Sequence, residues 1–490
     1  MNNVDIIILS IPKLILKGPI LSLGQLKAAL ESSGYSSWMG DFNMWLYKQT
    51  VDTELAHIWD TLDTTLTDRT QLFHHEEKFS ALVEQYIVEY ILPRNPKVVG
   101  FTAFSAWTFP FIELFTTVLR RHHSGRILLG GPALTSKQAQ NVEYVDKLVK
   151  CGLVDDFISG DADIALQRYM AGERDYPGIN NYEFDNSYDR NELPFVNYDD
   201  FDMSDYHNPQ LLISGSRGCV RKCAFCNVPL LWDKFISKDG DRIADEIIHL
   251  HERYGVSNFR FSDSLVNGNQ KSFRAMMERL SDYLANNDAD IFWQGQFIIR
   301  ETRFLTDDLF DLMRSSGCGT LQIGIESGSE KIRRDIKKPF SNAAIEYHLQ
   351  QFQRIGLKVT MLMFVGFPTE NEDDFKESLD ILDMFAKYDC VNDVGGEHPM
   401  LVIPGTPVHI NQDHYGIHDY TDYFKWTSAE NDYITRIERF FRFINKAHIN
   451  GLYERQLTSI SNIFIDEYME QDQQNPEVLE IISRLFGREK

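Results

Sequence analysis

Three of the chain's six cysteines fall within eight residues, in RGCVRKCAFCNVP from Arg217 to Pro229: Cys219, Cys223 and Cys226. The spacing is C-x3-C-x2-C. Three thiolates can hold three irons of a cubane cluster and leave the fourth iron without a protein ligand. A metal site with an open coordination position is reactive, whereas a closed one is structural or only carries electrons. Two other readings stand beside this one. A zinc site needs a fourth ligand, but no second C-x2-C or close histidine pair is present, and His207 and His249 are not suitably spaced. Chance clustering of unpaired thiols is the other. Cys151, Cys318 and Cys390 are scattered singly.

The surrounding pattern decides where that loop sits. LLISGS runs into it as an apolar strand. After it, helical periods (DRIADEIIHLHERYG, NQKSFRAMMERLSDYLA, TDDLFDLMRSSG, SNAAIEYHLQQFQRIG, DDFKESLDILDMFAKY) alternate with strands (VSNFRFSD, DIFWQGQF, TLQIGIES, KVTMLMFVGF, and one within DVGGEHPMLVIPG). Six β/α units predict a partial (β/α)6 TIM-like barrel over 209–404, with chemistry on the loops after its strands. Residues 1–170 show the same alternation, interrupted by a helical insertion at 50–95, and predict a Rossmann-like parallel sheet. Ligands of such sheets bind at the strands' carboxyl ends, which here carry Ser10, Pro12, Asp41, Asn43, Ser105, Gly130 and Gly131. Residues 171–208 are acidic and poor in aliphatics and read as an extended linker rather than a packed element. Residues 405–490 read as a small helical C-terminal cap domain. The fold class is therefore α/β, in two sheet domains and a helical end.

At 490 residues, with 43% hydrophobic and 12% aromatic content, the chain exceeds a single core. The apolar run VDIIILSIPKLILKGPIL is broken by Pro12, Lys13, Lys17 and Pro19, so no membrane span or signal peptide is expected. The sparse cysteines do not suit a secreted disulfide framework, and a reducing cytoplasm is the expected location. A formal charge of −23 disfavours a nucleic acid partner.

CVRKCAFC, with the aromatic Phe225 before the last cysteine, resembles the signature of radical S-adenosylmethionine (SAM) enzymes. FRFSDSLVNGN, DDLFDLMRSSGCGTLQIGIESGSEKIRRDIKK and GLKVTMLMFVGFPTENEDDF are similar, in the right order, to segments of the subgroup shared by methylthiotransferases and cobalamin-dependent members. The resemblance implies a 4Fe–4S cluster on Cys219, Cys223 and Cys226, with the amino and carboxylate groups of SAM on the open iron. It places Phe225 beside the cofactor, Asp263 and Ser264 near the SAM amino group, Glu326 near the ribose or methionine portion and Lys338 at the carboxylate. Gly366 and Pro368 would shape the adenine pocket. One-electron reduction of the sulfonium would give a 5′-deoxyadenosyl radical, with the electron from a flavodoxin- or ferredoxin-type donor.

LSLGQLKAALESSGY, VVGFTAFS, ILLGGPAL and FISGDADIAL likewise resemble a cobalamin-binding domain, implying cobalamin contacts at Ser10, Asn43, Ser105, Gly130 and Gly131. Asn43 of DFNMWL stands where methionine-synthase-type domains place the cobalt-ligating histidine, so cobalt would lack a protein imidazole. The other reading of this domain is a vestigial sheet used for substrate or partner binding. Methylthiotransferases need three further N-terminal cysteines, and residues 1–210 hold only Cys151. The expected reaction is methyl transfer to an unactivated carbon or phosphorus centre of a small molecule or peptide. Alternatives are a radical rearrangement, cyclisation or oxidation, or a non-catalytic iron–sulfur redox protein.

Overall fold

IIILS at Ile6–Ser10 (β1) is apolar almost throughout and buried at every position, the composition of a central parallel strand. In this computed structural model, which describes residues 3–60, 63–135, 139–183, 188–301, 306–396, 398–453, 459–471 and 474–488, it pairs in parallel on both sides. Its neighbours are Ser37–Asp41 (β2) and Val98–Thr102 (β3), followed by Arg126–Gly130 (β4) and Asp156–Phe157 (β5) in the order β2-β1-β3-β4-β5. Alternate residues feed two cores. Ile7, Leu9, Val99, Phe101, Ile127 and Leu129 face one cluster, and Ile6, Ile8, Val98 and Leu128 face the other. The insertion between β2 and β3 is helical, as expected, with helices at Phe42–Thr50, Arg69–His74 and Glu76–Tyr86. Phe42 and Tyr86 meet edge to face at 4.9 Å and join its first and last helices.

The acidic segment 171–208 (184–187 lie outside the described residues) is extended but also packed. Its only helical pieces are the short turns Arg190–Glu192 and Met203–Asp205, yet Ile179, Leu193, Val196, Tyr198 and Tyr206 are buried. Asp200 accepts the Met39 amide at 2.9 Å and pairs with Lys27 at 2.8 Å. Sparse aliphatics concealed this because the few present, Ile179, Leu193 and Val196, are all buried, together with Tyr198 and Tyr206.

The second sheet takes Gln210–Ile213 (β6), then, beyond the small antiparallel clip of Ser216–Arg217 (β7) and Ile236–Ser237 (β8), the strands Asn258–Phe261 (β9), Phe292–Phe297 (β10), Cys318–Glu326 (β11), Lys358–Met363 (β12) and Val391–Gly395 (β13). Its order is β13-β12-β11-β10-β9-β6, an open sheet rather than a closed ring, and β10 to β13 are parallel. By internal contacts the chain forms two compact units, Met1–Ile213 with Glu246–Asn258 and Ser214–Asp245 with Phe259–Lys490. Residues 405–490 thus fall in the second unit. They hold the hairpin Ile417–Tyr420 and Trp426–Ser428 and the helices Tyr433–Ile449, Ser459–Met469 and Pro476–Phe486. No helix among the described residues is long and apolar enough to cross a membrane.

Asn43 is buried and clamps Leu14 through both backbone groups: Oδ1 accepts the Leu14 amide at 2.9 Å and Nδ2 donates to its carbonyl at 3.3 Å. Asn43→Ala leaves both groups unpaired and is expected to cost about 1–3 kcal/mol. Urea unfolding followed by far-ultraviolet dichroism checks this; an unchanged midpoint contradicts it.

Candidate functional site

The cysteine loop begins one residue beyond the β7 strand, with β8 pinning its roots together. Cys223 is buried, while Cys219 and Cys226 are half-buried. Two backbone amides point at sulfur, Arg221 N–H at Cys219 Sγ and Val228 N–H at Cys226 Sγ, each at 3.4 Å. Such donors stabilise thiolate charge. The middle of the loop is nailed down on two sides. Ala224 N–H donates to the Ile336 carbonyl at 2.9 Å, and the Ala224 carbonyl accepts from Val408 N–H at 3.0 Å. Phe225 meets Phe364 edge to face at 5.0 Å, and Cys223 and Ala224 sit in a core with Ile332, Ile336, Phe367 and Val402.

Burial pushes the Cys223 thiol up to about 11, opposed by the Lys338 cation and reinforced by Glu326 and the other two cysteines; burial also raises Cys226. The three sulfurs, Glu326 and Lys338 therefore sense one another. Among the described residues no three His, Cys, Asp or Glu side chains gather around a single ion. A cubane does not ask for that, since each of its irons takes a different cysteine. Three thiols within eight residues, with amide donors on two of the sulfurs, fit such a cluster.

Glu326 ends β11 in the left-handed region, φ 68°, where the register with β12 shifts. That strain turns its buried carboxylate back onto Lys338 Nζ, 2.6 Å from Oε1. Burial works against the Lys338 charge, but Glu326 and Cys223 outweigh it and hold the ammonium above its ordinary value. The pair lies directly over Gly324: a Cβ there would stand 2.4 Å from Glu326 Oε1 and 2.5 Å from Lys338 Nζ. Buried Arg333 keeps Lys338 in place from behind, bonding the Ser327 and Phe340 carbonyls at 2.6 and 3.0 Å.

Asp263 is committed to the loop's approach. Its Oδ1 accepts the Gly215 amide at 2.9 Å and Oδ2 accepts Ser216 Oγ at 2.5 Å, while burial pushes its carboxyl up to about 6. Ser264 beside it is half-buried. Asn267, which the sequence reading missed, ties the next loop by bonding both backbone groups of Ile298 at 3.0 Å.

Gly366 and Pro368 are buried in the turn after β12, which is held from the C-terminal residues. Arg436 covers Gly366, Ser428 Oγ donates to the Pro368 carbonyl at 2.8 Å, and Asn431 Nδ2 bonds the Phe367 and Glu370 carbonyls at 2.9 Å. Glu370, also missed, accepts the Gly366 amide at 2.5 Å; burial raises its carboxyl to about 7, with Oε1 left unpartnered.

In the other unit, buried Ser10 donates to Asp41 at 2.6 Å, and Asp41 also accepts Tyr206 Oη at 2.6 Å, so both serve the sheet edge. Asn43 is spent on Leu14. Ser105 is half-buried. Gly131, φ 113°, lies where a Cβ would stand 2.5 Å from the Ala103 carbonyl, so it is needed for chain packing; Gly130 has more room. Exposed apolar residues that the pattern did not flag stand on the loops after β1 and β3: Ile15, Phe104 and Trp107 at 70%, 56% and 67% exposure.

An open parallel α/β sheet whose first strand feeds a three-cysteine loop is the architecture of the radical SAM enzymes that the sequence resembles. Residues 213–382 match the Radical SAM superfamily. An uncharacterized methyltransferase of Pyrococcus horikoshii is 23% identical over 312 residues, 60% of this chain and 65% of that protein. The cytidylyl-2-hydroxyethylphosphonate methyltransferase of Streptomyces wedmorensis is 25% identical over 40% of this chain and 36% of its own length. The chain thus spans about a third to two thirds of these relatives. Among solved structures, the radical SAM methyltransferase TsrM from Kitasatospora setae shares the fold with a TM-score of 0.60 and 16% identity, over 84% of this chain and 77% of that one. The cobalamin-dependent SAM radical enzyme OxsB aligns with a TM-score of 0.56 and 14% identity, over 88% and 58%.

Because folding raises the proton affinity of Glu370 from 4.5 to about 7, its contribution favours the fold below that window and is lost as pH rises through it. Glu370→Gln is expected to flatten the fall in urea midpoint between pH 5 and 8, by up to about 1.4 kcal/mol per pH unit at the steepest point. An identical pH profile in the variant contradicts this.

Proposed function

We propose that the chain is a radical SAM enzyme, holding a 4Fe–4S cluster on Cys219, Cys223 and Cys226 and using cobalamin to methylate an unactivated carbon or phosphorus centre of a small molecule or peptide. The cluster with SAM supplies one-electron cleavage of the sulfonium and a 5′-deoxyadenosyl radical that removes a hydrogen atom. The observation that carries this reading is the three-cysteine loop lodged beside the buried Glu326–Lys338 pair. Lys338 offers a fixed cation for the SAM carboxylate, and Glu326, turned by its left-handed backbone, offers acceptor oxygens for the ribose or amino group. Asp263 acts indirectly by fixing the turn into the cysteine loop, and Glu370 holds the Gly366-Phe367-Pro368 turn against which adenine would lie.

Cobalamin is supported by the shared fold with TsrM and OxsB across most of the chain. It is supported also by the strand order of the first sheet, which reverses between β1 and β3. Ligands of such sheets sit at that switch point, and Ile15, Phe104 and Trp107 leave apolar surface there for a flat macrocycle. Asn43, engaged with Leu14, is no cobalt ligand in this reading. The electron comes from a flavodoxin- or ferredoxin-type donor, and the cytoplasm is the expected compartment.

Anaerobically reconstituted protein given dithionite should release 5′-deoxyadenosine from SAM, and no release above a Cys223→Ala control contradicts the reading. Lys338→Met should keep the iron content and weaken SAM binding at least about tenfold, the cost of losing a buried charged partner. Hydroxocobalamin should stay with the chain through gel filtration; its loss returns the first domain to another ligand.

A further inference from the structure

The chain carries 72 acidic against 49 basic residues, and arginines such as Arg120, Arg126 and Arg253 each hold an aspartate. Arg221, in the cysteine loop, and Arg300, on the loop after β10, do not. Both are half-buried, and neither side chain has a carboxylate partner among the described residues. Arg221 stands between Cys219 and Cys223, with its amide committed to Cys219 Sγ at 3.4 Å. Arg300 Nη2 donates to the Asn267 and Gly268 carbonyls at 2.9 and 3.3 Å, which clasps the loops after β9 and β10, and its Nε is buried without a partner. The nearby carboxylates are engaged elsewhere. Glu301 accepts the Ser341 amide at 3.3 Å, and Asp263 is spent on Gly215 and Ser216. Burial, and then the charge of Arg221, work against the Arg300 guanidinium, so the two cations lie close enough to repel each other.

Two partly desolvated guanidiniums that face each other are unfavourable alone, and an anion shared between them removes the cost. A guanidinium is a planar fork of N–H donors that matches the oxygens of phosphate-type groups with parallel bonds. The SAM carboxylate has Lys338 in the reading above, which leaves the arginines to a different anion. Their position suits a reactant, because the loops after the strands of a barrel-type sheet carry its chemistry. We propose that Arg221 and Arg300 jointly grip a phosphate or phosphonate group of the substrate, which makes the substrate a small phosphorylated or phosphonylated molecule held beside the cysteine loop. The inference rests on the reading of that loop as the site of radical chemistry. The gripped group is a handle, and none of its bonds forms or breaks.

The test is phenylglyoxal labelling of arginines in the anaerobically reconstituted full chain, mapped by mass spectrometry. Methyl phosphate and methylphosphonate should slow labelling of Arg221 and Arg300 together by at least about fivefold, acetate should do much less, and Arg354, paired with Asp311, should not respond. Whichever of the two anions protects at the lower concentration identifies the handle as ester or phosphonate. Arg300→Met should also abolish protection at Arg221, because one anion bridges both, and Arg300→Lys should restore part of it. In the wild-type chain, no protection, or protection of one arginine without the other, overturns the proposal with no variant needed. Acetate protecting as well as the phosphorus anions overturns it too, and SAM alone slowing both arginines assigns them to the SAM carboxylate and overturns it. Protection by the phosphorus anions in a chain that releases no 5′-deoxyadenosine upholds the anion site and contradicts the radical SAM reading instead.

Discussion

A loop of three thiolates has no stiffness of its own, and the second unit is organised around the two backbone bonds that give it some. Ala224 donates to Ile336 and accepts from Val408. The first bond sets the loop against the end of the Glu330–Asp335 helix, two residues before Lys338. The second sets it against the short Pro407–Ile410 helix. One peg therefore fixes both the sulfurs and the ammonium that faces them. If Ala224 shifted, the distance between Cys223 and the Glu326–Lys338 pair would shift with it.

Burial makes that arrangement both stiff and costly. A carboxylate and an ammonium out of water are stable only as a pair, so Glu326 and Lys338 constrain each other, and Gly324 beneath them has no room for a side chain. The same logic runs through the turn after β12. Glu370, Asn431 and Arg439 bond its carbonyls and amide, with Arg439 Nη1 2.8 Å from the Glu370 carbonyl, while Arg436 packs against Gly366 and stacks 3.7 Å over Trp426. The C-terminal residues thus brace the site's far wall from within the same compact unit. A substrate cap made of the later helices would share a rigid base with the cluster.

The parts legible in the sequence were those whose information is local. Cysteine spacing, alternating strands and helices, and the glycine-proline turn are each written within a dozen residues. Lys338 and Glu326 came from resemblance, and no pattern in the chain announces that they touch across 12 positions. The bonds that determine roles are longer still: Asp263 to Ser216 across 47 residues and Asn431 to Phe367 across 64. Asn43 shows a different limit. Its place in DFNMWL suggested the cofactor face, but the structure spends both its polar atoms on Leu14. Exposed Phe104 and Trp107 were invisible because an aromatic in an apolar stretch reads as core until its exposure is known.

The central claim is that three cysteines leave one iron open for SAM. Electron paramagnetic resonance of the reduced, reconstituted protein, recorded before and after saturating SAM, addresses it directly. An open iron that takes the amino and carboxylate groups of SAM changes its electronic environment, and the g-values should shift. A spectrum identical with and without SAM, at full cluster occupancy, contradicts the account.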